Sequence, residues 1–338
     1  MLKRKWFSVI CFCIVLISLV FTLPSATVNA ADSQGQNMEA EDNEDEPRRY
    51  ISVGMNLDGS KTEEWVTLGK NGVKYIQVID YDKDGNQTRW LTGSERTDEE
   101  GTEIRHFEGT DIDNNEIYKT EKVYSSWIRE YENYIVEANG NQTVTIDVRY
   151  VDGSTYHEEE KLIYGGGDFL TIHTKDKDKK ETEWKYEYIK QDIEYETEYG
   201  YDFEIKTLGV NVLGMQPKTK TLIVEDDLTT YKGHTYNIIG IDDKAFSNNK
   251  KVKTVKIGQN VEKIGAGAFK NDKKLKKVVI FSDKISSVGK AAFEGIANGA
   301  VIHIRAGKTR YKEIVALIKE SGIDSSVKFK RSELLGYK

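Results

Sequence analysis

Histidines and carboxylates are the residues with the clearest capacity for chemistry, and their spacing argues against a reaction. No two of the five histidines stand at the spacing of a metal pair, and the segment His157-Glu-Glu-Glu lacks the second histidine of a zinc protease. The sequence has no nucleophile elbow, phosphate-binding loop or dinucleotide fingerprint. We therefore predict a non-enzyme with no catalytic residues and no cofactor. The histidines are His106, His157, His173, His234 and His303.

One stretch resembles the start of a calcium loop. Asp80, Asp82 and Asp84 alternate and Gly85 follows, so three carboxylates precede a tight turn. Calcium loops of this type need a bidentate glutamate at their twelfth position, and here that position is Leu91. We favour an ordinary hairpin tip and keep the three aspartates only as a weak calcium candidate.

Composition restricts the class of protein. The 338 residues are 31% charged and 38% hydrophobic, and they contain a single long apolar run, which excludes a polytopic membrane protein. Nineteen tyrosines and an aromatic content of 10% argue against a disordered chain. The net charge of −7 gives no overall signal for nucleic-acid binding.

The N-terminus has the pattern of an export signal. A basic start at Lys3 to Lys5 precedes an apolar run that ends near Leu23, and small residues lead to Ala30. This pattern predicts a signal peptide over residues 1–30 with cleavage after Ala30, although the run is also long enough to remain as an uncleaved anchor. Both cysteines lie inside the run, so the mature chain has none.

Charge divides the remainder into modules. The signal segment contributes +3, which leaves −10 for the mature chain. Residues 206–338 hold 26 Lys and Arg against 13 Asp and Glu, a balance of +13, so residues 31–205 carry −23. We predict an acidic disordered linker over 31–48, a β-domain over 49–205 and a basic domain over 206–338.

The acidic module has the pattern of an antiparallel β-meander. Turn signals such as Asp58-Gly59 and Asp84-Gly85 recur about every thirteen residues, and the segments between them favour Val, Ile, Thr, Tyr and Trp. We expect type I′ hairpin turns, and a sheet that buries one face, closes into a barrel or packs as a sandwich.

Four tryptophans remain after cleavage, and all of them lie in the acidic module. Rows of exposed aromatic side chains would stack on sugar rings or on a protein partner, whereas cross-strand packing explains the same residues without a ligand. We favour packing. The four are Trp65, Trp90, Trp127 and Trp184.

The basic module repeats. Segments that end in Ala-Phe at Phe246, Phe269 and Phe293 align at spacings of 23 and 24 residues, and each is followed by a strand signal. A period in the low twenties predicts a solenoid in which the phenylalanines stack as a buried column. The predicted core comprises Ile241, Phe246, Val255, Ile257, Ile264, Phe269, Val278, Ile280, Val288, Phe293, Ile302 and Ile304.

The pattern I-G-x-x-A-F followed by L-x-x-V-x-I resembles the BspA-like leucine-rich repeats, leucine-rich repeat type 5, of bacterial surface proteins. The resemblance covers residues 220–307. Beyond it, Tyr311, Ile314, Val315 and Ile318 have helical spacing and predict a C-terminal helix cap. Thr221 to Ile241 predicts a hairpin cap at the other end. The fold class is thus mainly β, a meander followed by a short leucine-rich-repeat solenoid capped by a helix.

Strand alternation predicts an outward face rich in lysine, with Lys253 and Lys276 one repeat apart. This surface would hold a polyanion, would dock against the acidic module, or is simply a solvated surface that keeps the solenoid soluble. The candidate ligand-binding residues are Lys253, Thr254, Lys256, Lys276, Lys277, Val279, His303 and Arg305.

The resemblance implies a bacterial binding or adhesion protein without catalysis, secreted or associated with the cell surface. Its expected partner is an extracellular protein or an anionic envelope polymer, with no nucleic acid, a monomeric state, and membrane contact only through an uncleaved signal. The alternative is a polysaccharide-binding or hydrolytic exoprotein whose activity lies in the β-domain. A pair of carboxylates in a cleft would favour that alternative.

Overall fold

The computed structural model describes residues 48–69, 73–197, 200–215 and 219–332. The predicted signal peptide over 1–30 lies outside the described residues, as does nearly all of the predicted linker over 31–48. Within the described part there is no helix with the length and apolarity needed to cross a membrane.

Twelve strands form an antiparallel meander in which each strand pairs with its neighbour in sequence. Alternating polar and β-branched or aromatic residues produce the strands, and the turn signals separate them. They are β1 (Arg48–Met55), β2 (Lys61–Leu68), β3 (Lys74–Tyr81), β4 (Gln87–Thr97), β5 (Glu103–Asp111), β6 (Glu116–Val123), β7 (Arg129–Val136), β8 (Gln142–Arg149), β9 (Thr155–Leu162), β10 (Asp168–Lys175), β11 (Glu181–Thr197) and β12 (Gly200–Met215).

The hairpin turns differ from the predicted type I′. In the turn between β3 and β4, Asp82 N–H donates to Asn86 O (2.9 Å) and Gly85 N–H donates to Asp82 O (3.1 Å). Gly85 has a φ of +85°, and no other residue of this turn has a positive φ. The loop is therefore a three-residue connection with one left-handed residue, and Asp82 Oδ1 accepts the N–H groups of Asp84 and Asn86. A type I′ turn needs two left-handed residues, so that prediction was wrong.

Trp127 occupies the left-handed position of the turn between β6 and β7, with a φ of +65°. A side chain in this conformation costs roughly 1–2 kcal/mol, and glycine avoids most of that cost. We expect Trp127→Gly to raise the free energy of unfolding by about 1 kcal/mol, measured by urea denaturation. Gly153→Ala, which places a side chain at the same position of a neighbouring turn (φ +81°), should lower it. A destabilised Trp127→Gly would contradict the strain argument.

The meander is an open single layer. Among the described residues, each of β1 to β10 pairs only with its sequence neighbours in the sheet, no described strand packs on β1 to β5, and β1 does not pair with the last strand. The sandwich and barrel alternatives are therefore excluded for this part of the chain. The long antiparallel sheet confirms the predicted fold class.

The two faces of the sheet are stabilised differently. On the face that we call the ion-pair face, Ile76, Leu91, Phe107 and Ile117 are buried. They lie beneath charged side chains, and the Arg105 guanidinium sits 5.2 Å from the Phe107 ring centroid. We call the other face the aromatic face. One of its cross-strand rows runs through Ile51, Trp65, Gln77, Thr92, Glu108, Tyr118, Tyr134, Val144, Glu160, Leu170, Tyr186 and Val212.

The sheet continues from the meander into the solenoid. The strand β12 crosses the predicted domain boundary at residues 205 and 206, and it pairs in parallel with β15 (Thr235–Ile241). Before β15 lie β13 (Thr221–Val224) and β14 (Asp227–Thr229). The capping hairpin consists of β14 and β15, because β13 pairs instead with a strand of the first repeat. The division into two domains remains a proposal.

The capping hairpin covers the C-terminal half of the aromatic face through a buried polar cluster. At its tip, the Tyr231 hydroxyl donates to Glu130 Oε2 (2.8 Å), and the Tyr231 backbone N–H donates to Glu158 Oε2 (2.9 Å). Glu130 also accepts the Lys122 ammonium (2.8 Å), and Glu130 and Glu158 are only 3% and 6% exposed. These hydrogen bonds join the tip of the capping hairpin to the meander.

The repeats form coils with strands on two sides. One side has β16 (Thr254–Ile257), β18 (Lys277–Ile280) and β20 (Val301–Arg305), and the other has β17 (Lys263–Ile264) and β19 (Ser287–Val288). The helix α1 (Lys308–Glu320) follows and buries Ile314 and Ile318. The strand β21 (Lys328–Ser332) then joins β20 in parallel.

The predicted phenylalanine column is present. The rings of Phe246 and Phe269 stack at 5.5 Å, and those of Phe269 and Phe293 stack at 5.2 Å. Trp184 of the meander meets the open end of the column edge-on, 6.3 Å from Phe246. Of the twelve predicted core residues, eleven are buried and Val288 is partly buried.

The glycine of the repeat motif follows from the close stacking of the coils. A Cβ added at Gly265 would lie 2.5 Å from the backbone of Asp242, and one added at Gly289 would lie 2.4 Å from the backbone of Ala266. Each coil thus approaches the preceding coil too closely for a side chain. The first repeat has Asp242 at this position, and its N–H donates to Val212 O of β12 (2.9 Å) rather than to a preceding coil of the array.

A buried carboxyl in the second repeat predicts a pH-dependent stability. Asp272 is 1% exposed, and burial raises its pKa to about 7, although its Oδ1 accepts the Asn249 N–H (2.7 Å). Between about pH 4 and pH 7 the unfolded chain has lost this proton while the folded chain keeps it, so the free energy of unfolding falls as pH rises through this window. We expect Asp272→Asn to be more stable than the parent at pH 8, by on the order of 1–4 kcal/mol.

The same comparison at pH 4 should show little difference, because aspartate is then protonated in the fold. Urea denaturation at both pH values measures the effect. Asp324→Asn is a suitable control, because hydrogen bonds from the Ser326 side chain and backbone lower the pKa of Asp324 and no stabilisation at pH 8 is expected. A destabilised Asp272→Asn at pH 8 would contradict the burial argument.

Candidate functional site

The candidate site is the outward face of the five-stranded parallel sheet, in the order β13, β16, β18, β20, β21. Strand alternation places one set of side chains in the core and the other set outside. Val255, Val278 and Ile302 lie in one buried cross-strand row, and their sequence neighbours point outward. We call the outward surface the basic face.

The structure brings the predicted ligand-binding residues together on the basic face. One row joins Lys256, Val279 and His303, and a second joins Thr254 and Lys277. Arg305 extends the face at the end of β20. Lys253 and Lys276 precede their strands and are stacked coil on coil, because the N–H of Lys276 donates to Lys253 O (2.9 Å). The binding role of these eight residues remains a prediction.

Two further lysines belong to the basic face. Lys328 pairs in register with Val301, and Lys330 pairs with His303, so β21 extends both rows. The register of β21 against β20 was not predicted from the sequence. Periodic alternation in Lys-Phe-Lys was the available signal, since it places both lysines on the side opposite Phe329.

The strands of the basic face are rich in lysine. None of its five strands contains an Asp or Glu residue. Within the described part of the chain, none of Lys256, Lys277, Lys328 and Lys330 forms an ion pair, whereas many lysines of the meander do. Neighbouring strands are about 4.8 Å apart, so the ammonium groups repel one another unless an anion lies across them.

His303 lies among the lysines of the basic face. Burial lowers its pKa below the ordinary value of 6.5, and the nearby charges of Lys277 and Lys330 lower it further. Beside it, the Arg305 guanidinium lies 5.2 Å from the Phe281 ring centroid, which orients its planar group over the ring. The face therefore offers hydrogen-bond donors and positive charge, which is the chemistry of anion binding.

The aspartates of the calcium candidate are engaged in other contacts. Asp80 accepts Arg89 Nε (2.6 Å) and the Thr62 hydroxyl (2.6 Å), and Asp82 accepts the N–H groups of its own turn. Within the described ranges there is no group of three or more His, Cys, Asp or Glu residues arranged to hold a metal ion.

The buried carboxylates of the meander also have structural partners. Glu130 and Glu158 meet at Tyr231, but both are covered by the capping hairpin rather than open to a substrate. Burial, the hydrogen bond to Glu130 and its charge raise the pKa of Tyr231 above its ordinary value. The arrangement supports docking of the hairpin rather than acid–base catalysis.

Comparison with known proteins identifies the repeats. Residues 227–314 match six copies of the family model described as the BspA type leucine-rich repeat region, which confirms the predicted repeat type for the C-terminal part of the chain. The chain has no match among curated proteins. It is similar to the crystal structure of a leucine-rich repeat protein from Bacteroides ovatus, with 21% identity and a TM-score of 0.23. That match covers 35% of this chain and 37% of the Bacteroides protein.

Proposed function

We propose that the BspA-type leucine-rich repeat region at residues 227–314 is the interaction module of a secreted, surface-associated bacterial protein that binds without catalysis. Solenoid repeats present extended surfaces and are typical of interaction proteins rather than enzymes. The export signal predicted over residues 1–30 supports a location outside the cell. The adhesion role follows from combining that location with a binding surface.

The basic face is the proposed binding surface, and its partner is an anionic macromolecule. The observation that carries this proposal is the set of lysines held in register on rigid strands that contain no acidic residue. The strands already fix the backbone positions of the lysines. Binding therefore has to immobilise only the ends of the lysine side chains, and the entropic cost is small. An anionic envelope polymer or an acidic extracellular protein would supply the negative charges that pair with these lysines.

Reversing charges on the basic face tests the proposal. We expect the triple variant Lys256→Glu, Lys277→Glu, Lys330→Glu to bind immobilised heparin, a model polyanion, and purified anionic wall polymer at least tenfold more weakly than the parent at low ionic strength. Each removed cation also removes about one counterion-release contribution, so the dependence of binding on salt should become less steep. Elution from the column along a NaCl gradient measures both effects.

The matched control reverses Lys244, Lys263 and Lys290, three exposed lysines outside the basic face. It changes the net charge by the same amount and should bind much more like the parent than the basic-face variant does. Equal loss in both triple variants would show that net charge alone governs binding. A parent protein that is not retained at low ionic strength would also overturn the proposal.

A further inference from the structure

The N-terminal half of the aromatic face presents large rings to solvent. Trp90 is 42% exposed and Tyr75 is 50% exposed, while Trp65 and Tyr81 are half-buried beside them on β2 and β3. No described element packs on these strands from outside the sheet. We call these four side chains the aromatic platform. The C-terminal half of the same face contrasts with it, because Tyr231 and Tyr236 of the capping hairpin cover rings there.

The polar groups of the opposite, ion-pair face are already engaged. Arg105 Nη2 contacts Glu64 (2.6 Å), and its other nitrogens lie within 3.5 Å of Glu95 and Glu121. Asp80 joins this pattern through Arg89. These side chains shield the apolar residues beneath them, so the ion-pair face is complete without a ligand.

The polar groups around the aromatic platform are different. Gln77, Thr92, Ser94 and Thr110 accompany the rings in the cross-strand rows, and their side chains form no hydrogen bond within the described part of the chain. All four are uncharged. They can both donate and accept hydrogen bonds, and they are held by rigid strands at the edges of the rings.

The lysine beside the Tyr81 ring of the platform has an acidic partner. Lys61 Nζ contacts Glu63 Oε1 (2.7 Å) and lies 4.3 Å from the Tyr81 ring centroid, so the ammonium is compensated where it stands. On the basic face, by contrast, Lys256, Lys277, Lys328 and Lys330 form no ion pair among the described residues. An uncharged ligand with apolar faces and hydroxyl edges fits the combination of exposed rings and uncommitted neutral groups.

Sugar rings have this chemistry, since the C–H groups of a pyranose stack on aromatic faces while its hydroxyls exchange hydrogen bonds at the edge. Trp65 and Trp90 lie two strands apart and are offset by two residues, which separates their backbones by about 12 Å. This distance exceeds one sugar ring. We infer that the aromatic platform is a second binding surface, separate from the basic face, for an extended chain of a neutral polysaccharide.

Binding of neutral oligosaccharides tests the inference. The probes are cellohexaose and chitohexaose in titration calorimetry, together with retention of the full chain on insoluble cellulose and chitin. We expect the parent to bind at least one of the two glycans, and Trp90→Ala to weaken that binding at least tenfold. Gln77→Ala should weaken it by a smaller factor, because it removes edge hydrogen bonds but leaves the rings in place.

Two controls separate this surface from others. Trp127→Gly removes an exposed tryptophan at the end of a hairpin, away from the platform, and should bind the glycan like the parent. The basic-face triple variant should also keep glycan binding, so this inference and the anion-binding proposal succeed or fail independently. Circular dichroism verifies that each variant is folded.

The inference is overturned if the folded parent binds neither glycan, or if Trp90→Ala and Trp127→Gly reduce binding equally. It is also overturned if binding weakens with salt as binding to heparin does, because a neutral ligand is insensitive to screening. Self-association of the parent that Trp90→Ala abolishes, without glycan binding, would assign the platform to contact with a second copy instead.

Discussion

Phe269→Ala is expected to lower the free energy of unfolding by about 3–5 kcal/mol. Phe269 is fully buried and lies between Phe246 and Phe293 in the stacked column. Truncation removes both ring contacts and leaves a cavity. The neighbouring coils cannot move in to fill it, because backbone hydrogen bonds hold them at a fixed distance. Urea denaturation followed by far-ultraviolet circular dichroism measures the loss.

Two companion variants define the origin of this loss. Phe269→Leu keeps most of the buried volume and should cost clearly less than Phe269→Ala. Phe169→Ala makes the same truncation at a half-buried position of the meander, and its cost should also be smaller. If Phe269→Ala cost no more than Phe169→Ala, the column would not be a continuous core.

Glu130→Ala is expected to cost about 3–5 kcal/mol, because it removes one partner of a buried ion pair. The Lys122 ammonium and the hydroxyls of Tyr124 and Tyr231 all lose their acceptor. The same truncation at Glu132, whose ion pair with Lys232 is more exposed, should cost at most about 1 kcal/mol. Urea denaturation of both variants measures the difference.

The pH dependence of the parent gives this prediction a second measurement. Burial raises the pKa of Glu130, but hydrogen bonds from Lys122, Tyr231 and Tyr124 outweigh it and lower the pKa below 4.5. The contribution of Glu130 to stability is therefore complete above pH 4.5 and is lost as pH falls through the lower pKa of the folded state. The difference in stability between the parent and Glu130→Ala should shrink in this acid range.

A double-mutant cycle with Tyr231→Phe localises the effect at the junction. If the hydrogen bond between the two side chains holds the capping hairpin on the meander, the two losses should couple by about 0.5–3 kcal/mol. Additive losses would show that Glu130 acts within the meander alone. Such a result would contradict the role that we assign to the cluster in joining meander and solenoid.

The repeats could be read from the sequence because each unit meets a near copy of itself. Phe246, Phe269 and Phe293 recur at almost constant spacing, so any stacking of the units superposes them. The same argument predicted the buried strand residues and the outward lysines. In the meander, the recurring turn signals predicted the strands and their order, since each hairpin joins neighbours in sequence.

Contacts between residues distant in sequence could not be read in this way. Nothing near Glu130 or Glu158 indicates that Tyr231, 101 residues beyond Glu130 and 73 residues beyond Glu158, would reach them. The hairpin tip meets them because β15 pairs with β12, a strand of the same sheet. Lys328 and Lys330 likewise join the basic face only through the pairing of β21 with β20.

The sequence by itself therefore determined the local and periodic features of this protein: the hairpin order, the coil repeat, the phenylalanine column and the alternation that turns lysines outward. Only the tertiary structure decided that the sheet stays open, which half of the aromatic face the hairpin covers, and which polar groups remain uncommitted. The physical reason is that periodic packing depends on residues a fixed distance apart in the chain. Coverage of a face depends on where a distant segment returns, and no local pattern encodes that position.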